Sequence, residues 1–247
     1  MFTVEQRDAL REHVLALAEE DSRVVAGAAV GSLALGGGDR YSDLDLTFAV
    51  ADDTPVADVL DDWTRALGGE VGAVRLVDLE RAPTIYRVFL LPDALQFDLS
   101  LTPSSRFAPA GPSWRTLFGD IAEEHTRTPT PPDAEDLFGW GVIYGLHAHT
   151  CIDRRRLWQA EHYTGAVRDH ALSLACLRHD LPAMQARGYD DLPSGVLAGF
   201  EATHVGSLDP SELRSALSLA LHGLFREATE MQLPAVDAVV QRLADRG

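Results

Sequence analysis

The sequence predicts an α+β fold in which a mixed α/β half precedes a helical half. Three observations predict it. Before residue 103, apolar residues alternate at period two in several short runs, as half-buried strands require. After residue 133 they recur at helical spacing over long stretches. Between the two lies the polar, proline-rich Thr126–Asp133, which can neither continue a helix nor fill a central strand. The expected domains are therefore 1–128 and 129–247.

Val4–Glu20 carries apolar residues at helical spacing and reads as the first helix. Val24–Val30 is a short β-branched and small-residue strand, followed by a glycine-rich turn through Gly38. Leu44, Leu46, Phe48 and Val50 alternate with Asp43, Asp45, Thr47 and Ala49, the pattern of a strand buried on one face. Pro55–Leu67 reads as a helix stopped by Gly68-Gly69, and Ala73–Leu79, Ile85–Leu91 and Leu95–Thr102 as three more strands. In the second half, Ala134–Thr150, Arg154–His179, Ser211–Thr229 and Pro234–Asp245 read as helices, with Asp209-Pro210-Ser211 as a helix start.

Acidic residues number 38 and basic residues 21, so the 247-residue chain carries a net charge of −17. All the basic residues are arginine, which excludes a Walker-A loop, a Schiff-base lysine and a lysine general base. The acidity argues against broad nucleic-acid or anionic-membrane binding and suits a small cationic partner. Cys151 and Cys176 cannot make a disulfide framework, and no apolar stretch approaches the ~18 residues of a membrane span. A cytoplasmic protein is expected, and its oligomeric state stays open.

The chemistry concentrates in Gly31-Ser32 and Ser42-Asp43-Leu44-Asp45. Alternation on a strand turns Asp43 and Asp45 to one face, ~6.5–7 Å apart, with Leu44 and Leu46 on the other. Two like charges on one face invite a hard divalent cation. Gln96, Asp98, Ser100 and Thr102 share one face of a later strand, so Asp98 is a third carboxylate presented in the same way. Were the two strands neighbours, three carboxylates would converge on a two-metal site with ions roughly 3.5–4 Å apart. Gly31 lets the backbone approach an anion closely, and a helical turn after it would aim N–H groups, with the Ser32 hydroxyl, at a phosphate.

Gly31-Ser32, a gap of ten and Asp43-Leu44-Asp45 resemble the DNA polymerase β-like nucleotidyltransferase superfamily. Within it the chain is most similar to aminoglycoside adenylyltransferases. LQFDLSLT (Leu95–Thr102) is similar to the third-carboxylate strand of the streptomycin-type group, and Arg156–His179 to the helix of their C-terminal domain. The resemblance implies an N-terminal catalytic domain with a mixed twisted sheet, a C-terminal helical bundle and a site in the cleft between them. It implies that Asp43, Asp45 and Asp98 are catalytic and bind two Mg²⁺, and that Gly31 and Ser32 contact the phosphates of ATP. The implied reaction moves AMP to a hydroxyl of a small acceptor and releases pyrophosphate, with Asp98 or a nearby carboxylate taking the proton. Two alternatives stay open: a regulatory nucleotidyltransferase acting on protein or RNA, and a non-catalytic nucleotide-binding module.

Further residues are assigned more loosely. Ser42 helps to fix the turn into the strand and joins the nucleotide-binding set. Arg40 either clamps phosphate or is an exposed turn residue. On the Arg154–His179 helix, Leu157, Ala160, Val167, Ala171 and Leu174 form a core stripe, with Glu161, His162 and Arg168 off it. Glu161 would attract a cationic acceptor and Arg168 a nucleotide phosphate, or both lie on a solvated face. His147, His149 and Cys151 suggest a metal cluster, but the spacing lacks a fourth ligand, so structural roles are expected. Trp63, Trp140 and Trp158 are expected in the core, and Trp114 is the candidate exception.

Overall fold

The structure is a computed structural model that describes residues 2–36, 38–109, 113–122, 131–234 and 236–244. Gly37, residues 126–130 of the proline-rich break and Asp245 of the last expected helix lie outside the described residues. The chain divides into two compact units, Met1–Pro129 and Thr130–Gly247. The fold is α+β, with a mixed sheet in the first unit and helices in the second.

The first unit runs α1 (Val4–Glu20), β1 (Val24–Val30), β2 (Leu44–Val50), α2 (Val56–Glu70), β3 (Val74–Arg81), β4 (Thr84–Leu90), β5 (Gln96–Pro103) and β6 (Trp114–Phe118). Thr3 starts α1 through a capping box: its hydroxyl accepts from the Gln6 amide at 3.2 Å, and its own amide donates to Gln6 Oε1 at 2.7 Å. Arg7, Leu10, Val14 and Ala18 form the buried stripe of that helix. The sheet order is β3-β4-β5-β2-β1-β6. β2 and β5 pair in parallel at its centre, and the other pairs are antiparallel.

One sheet face carries Leu44, Leu46, Phe48, Phe89, Phe97 and Leu99 into a core shared with Leu10 and Val14 of α1 and Leu60, Trp63 and Leu67 of α2. Trp63 sits edge-on to Phe48 at 5.2 Å, and its indole N–H donates to Asp21 at 2.9 Å. The buried Arg87 of β4 faces the same side. It donates to Asp78 of β3 and, from α2, to the Leu60 carbonyl, Asp61 and Thr64. The opposite face keeps Ala26, Ala28 and Ala49 under Phe107 and Trp114.

The second unit runs α3 (Ala134–Asp153), α4 (Leu157–Arg178), α5 (Ser194–Ala198), α6 (Pro210–Glu230) and α7 (Val236–Ala244). Its core joins Phe138, Ala148, Ile152, Val167, Ala171, Leu174, Leu217 and Leu224. α3 comes close to α6 at Gly141, where a Cβ would lie 2.7 Å from the Leu224 side chain. Glu227 is fully buried in this core and is neutralised by Arg178 at 2.7 Å and Arg226 at 3.0 Å. Among the described residues no helix is long and apolar enough to cross a membrane.

Several expectations are corrected. α2 runs through Gly68-Gly69 to Glu70, and the left-handed residue after it is Gly72 at φ +69°. The helix expected from Arg154 begins at Leu157, because Arg155 takes φ +57° and breaks the run. β6 and α5 are additional elements. Trp63 is buried, but Trp140 and Trp158 are exposed, at 52% and 77%. Trp140 makes a tilted ring pair with Tyr144, and Trp158 lies in the first turn of α4.

Candidate active site

Parallel pairing of β2 with β5 sets Asp45 in register with Asp98. Leu46 opposite Leu99 faces the helices, so alternation turns Asp45 and Asp98 to the other side. Asp43 lies just before β2. Oxygens of Asp43, Asp45 and Asp98 all fall within 4.8 Å of one another, and the three residues are half-buried. Burial, together with the charge of Asp43, holds the Asp98 carboxyl above the usual carboxylate range. Donation from Gln96 Nε2 to Asp98 at 2.9 Å offsets part of that rise.

Gly31 ends β1 at φ +68° and opens a 3-10 turn, Gly31–Leu35. A side chain there would be strained by the backbone and would run into the Asp45 carboxylate. The glycine is what lets this turn lie directly against the acidic strand. Ser32 follows it and is exposed.

The loop into β2 is held from within and from α1. The Asp39 carboxylate accepts from the Tyr41 amide at 2.8 Å and the Ser42 hydroxyl at 3.1 Å, while Ser42 Oγ accepts from the Asp39 amide at 2.9 Å. These bonds hold the Asp39 carboxyl below its usual range. The buried Arg7 donates to the carbonyls of Asp39 at 2.7 Å and Ser42 at 3.0 Å. Arg7 was not singled out in the sequence. Its signal is an arginine in the apolar stripe with Leu10 and Val14, which a helix tolerates only where the guanidinium finds acceptors.

The structure thus brings Asp43, Asp45, Asp98 and Gly31 together. The Ser42 hydroxyl is engaged in its own turn, as expected of a residue that shapes the loop. Arg40 is exposed, with its guanidinium 4.4 Å from the Tyr41 ring centroid. Glu161 and Arg168 lie on α4 of the second unit, where Arg168 contacts Asp169 at 3.4 Å and His204 at 3.4 Å. His147 packs edge-on against Tyr163, His149 pairs with Asp153 at 3.4 Å, and Cys151 is buried.

The comparisons with known proteins add distant likenesses. No family model and no curated protein matches the chain. Among solved structures, an aminoglycoside 6-adenyltransferase from Bacillus subtilis aligns over 95% of both chains at 11% identity and a TM-score of 0.40. A nucleotidyltransferase-like protein from Exiguobacterium sibiricum 255-15 aligns over 90% of this chain and 76% of its own at 14% identity and a TM-score of 0.36.

The donor set has its own chemistry. Among the described residues, three carboxylates without a nitrogen or sulfur ligand make a hard, all-oxygen cluster that could hold a metal ion. A divalent cation there would relieve the repulsion of three like charges.

Proposed function

We propose that the chain is a Mg²⁺-dependent nucleotidyltransferase that moves AMP from ATP to a hydroxyl of a small cationic acceptor, such as an aminoglycoside. The observation that carries this is the cluster of Asp43, Asp45 and Asp98 directly against the Gly31 turn. A metal-binding carboxylate group and a close-approach backbone are the two parts that a metal-bound triphosphate needs. The net charge of −17 favours capture of a cation over a polynucleotide.

The acceptor oxygen attacks the α-phosphorus, a P–O bond forms, and the bond to the departing pyrophosphate breaks. Asp43 and Asp45 would hold the metal ions, with Asp98 completing the set. When bound there, Mg²⁺ would supply charge neutralisation at the phosphates and lower the pKa of the attacking hydroxyl. Asp98, or a carboxylate near it, accepts the hydroxyl proton. Gly31 and Ser32 turn backbone and hydroxyl donors to the phosphates. For Arg40 and Arg168 toward phosphate and Glu161 toward the acceptor, the support is the sequence resemblance. Glu161→Gln should then raise the acceptor KM more than it lowers kcat.

The test is pyrophosphate release from ATP, GTP, CTP and UTP with streptomycin, spectinomycin, kanamycin and lincosamides, in Mg²⁺ and in EDTA. Mg²⁺-dependent release that Asp43→Asn abolishes supports the proposal. Release that survives Asp43→Asn overturns the metal assignment, and transfer only to uncharged or anionic acceptors overturns the cationic one.

A further inference from the structure

Two of the carboxylates, Asp45 and Asp98, belong to one rung of a four-strand surface. Register runs Asp45, Asp98, Val88, Val77 across β2, β5, β4 and β3. The next rung reads Thr47, Ser100, Tyr86, Leu79. Because Arg87 and Leu99 face the helices, these residues face the other way. Val77 and Leu79 are 46% and 50% exposed, and Val88 and Tyr86 are half-buried. Leu90 and Val74, paired in the preceding rung beside Gln96, extend the apolar surface.

The amphipathy of β3 is inverted. Its polar residues Asp78 and Glu80 sit in register with Arg87 and Ile85 on the helix side, and Asp78 forks onto Arg87 at 2.7 Å. Val77 and Leu79 point away from the helices, on the side where an edge strand ordinarily carries polar residues. A polar Arg87–Asp78 pair under the sheet and an apolar row above it are the reverse of what stability of the unit alone favours.

We propose that Val77, Leu79, Tyr86 and Val88 form a shelf for the apolar flank of the acceptor. The proposal rests on the nucleotidyl-transfer reading and narrows its cationic acceptors to hydroxyl compounds with a flat ring or chain beside the reacting oxygen; uncharged alcohols probe the shelf alone. The unbroken rung from Asp98 to Val77 selects this occupant. Strand spacing puts Val77 ~10 Å from Asp98, and the two rungs lie ~7 Å apart along the strand. A body of that size fills the shelf while its hydroxyl stays at the carboxylates. At the far end Arg81 lies 5.9 Å from the Tyr86 ring centroid, and Thr84 bonds Thr102 at 2.9 Å, so the apolar surface ends in polar groups.

The experiment uses the full chain with ATP, Mg²⁺ and ethanol, butan-1-ol, hexan-1-ol or 4-phenylbutan-1-ol, read by pyrophosphate release. kcat/KM should rise about twofold per methylene, the one-sided share of the roughly fourfold that full burial gives. Val77→Asn and Leu79→Asn should flatten that gradient, while Glu80→Gln on the opposite face keeps it. Saturation-transfer NMR of 4-phenylbutan-1-ol reads binding without turnover and should lose its signal in the same two variants. A flat gradient in the parent protein, or binding unchanged by both variants, overturns the shelf. Variant-sensitive binding with no pyrophosphate release from any acceptor upholds the surface and overturns the transfer reaction instead. A dimer detected by light scattering that Leu79→Asn dissolves overturns the shelf in favour of a second copy of the chain.

Discussion

Replacing Asp98 by Asn should stabilise the protein in the absence of divalent cations. The substitution removes one of three charges whose oxygens lie within 4.8 Å, and it keeps a carbonyl oxygen to accept from Gln96. Two unit charges at that distance repel by about 3.5 kcal/mol at an effective dielectric of 20 and about 1 kcal/mol in bulk water. Half-buried groups fall between these limits, so about 1–2 kcal/mol of stabilisation is expected, or about 3–8 °C in the Tm of a unit this size. The sign follows from Asp98 itself. Its folded pKa lies above the unfolded value, so its ionised form costs stability at neutral pH, and the cost fades as pH falls toward the carboxylate range. Scanning calorimetry at pH 7.5 in EDTA and in Mg²⁺ is the assay. Saturating Mg²⁺ should raise the parent protein by about 2.7 kcal/mol at a hundredfold excess over Kd, and the Asn variant by far less. An Asn variant that melts lower in EDTA, or that gains as much from Mg²⁺, refutes the reasoning.

Three further outcomes follow from other contacts. Gly31→Ala should cost about 1–2 kcal/mol for the left-handed backbone alone and reduce the Mg²⁺-induced rise in Tm, because its Cβ displaces the Asp45 carboxylate; an unchanged rise refutes it. Asp21, held at about 2 by Arg23 and by the Trp63 indole, should contribute about 2 kcal/mol above pH 4, lost as pH falls from about 4 to about 2. Acid unfolding of Asp21→Asn should show that component missing. Arg7→Met should loosen the loop at Asp39–Ser42, seen as faster amide exchange there and weaker Mg²⁺ binding by calorimetry; protection equal to that of the parent protein counts against it.

Much of the architecture was legible because the residues announce their own periodicity. Leu44, Leu46, Phe48 and Val50 alternate cleanly because they cover a helix-packed face. Asp43, Asp45 and Asp98 stood out because each carboxylate breaks an apolar run at a fixed phase. Alternation also fixes which way a side chain points. It does not fix which strand lies next, so the parallel pairing that joins Asp45 to Asp98 became visible only in the sheet order. β6 escaped because Trp114–Phe118 is short and follows prolines, and its exposed Arg115 and Thr116 sit side by side and break the alternation. Trp158 departs from the expectation because size alone does not bury a side chain, and the first turn of α4 leaves this one in solvent.

The parallel neighbours β2 and β5 also have a kinetic consequence. About fifty residues, including α2, β3 and β4, separate Asp45 from Asp98, so their meeting requires a large loop to close, and contacts of this range form late. An ion that needs all three carboxylates then finds no site in the collapsing chain and binds only once the sheet is complete. Mg²⁺ should therefore leave the refolding limb of a chevron where it is and lower the unfolding limb. On the proposed metal site, the ion would act as a latch that delays opening, and the chain would reach its fold without it.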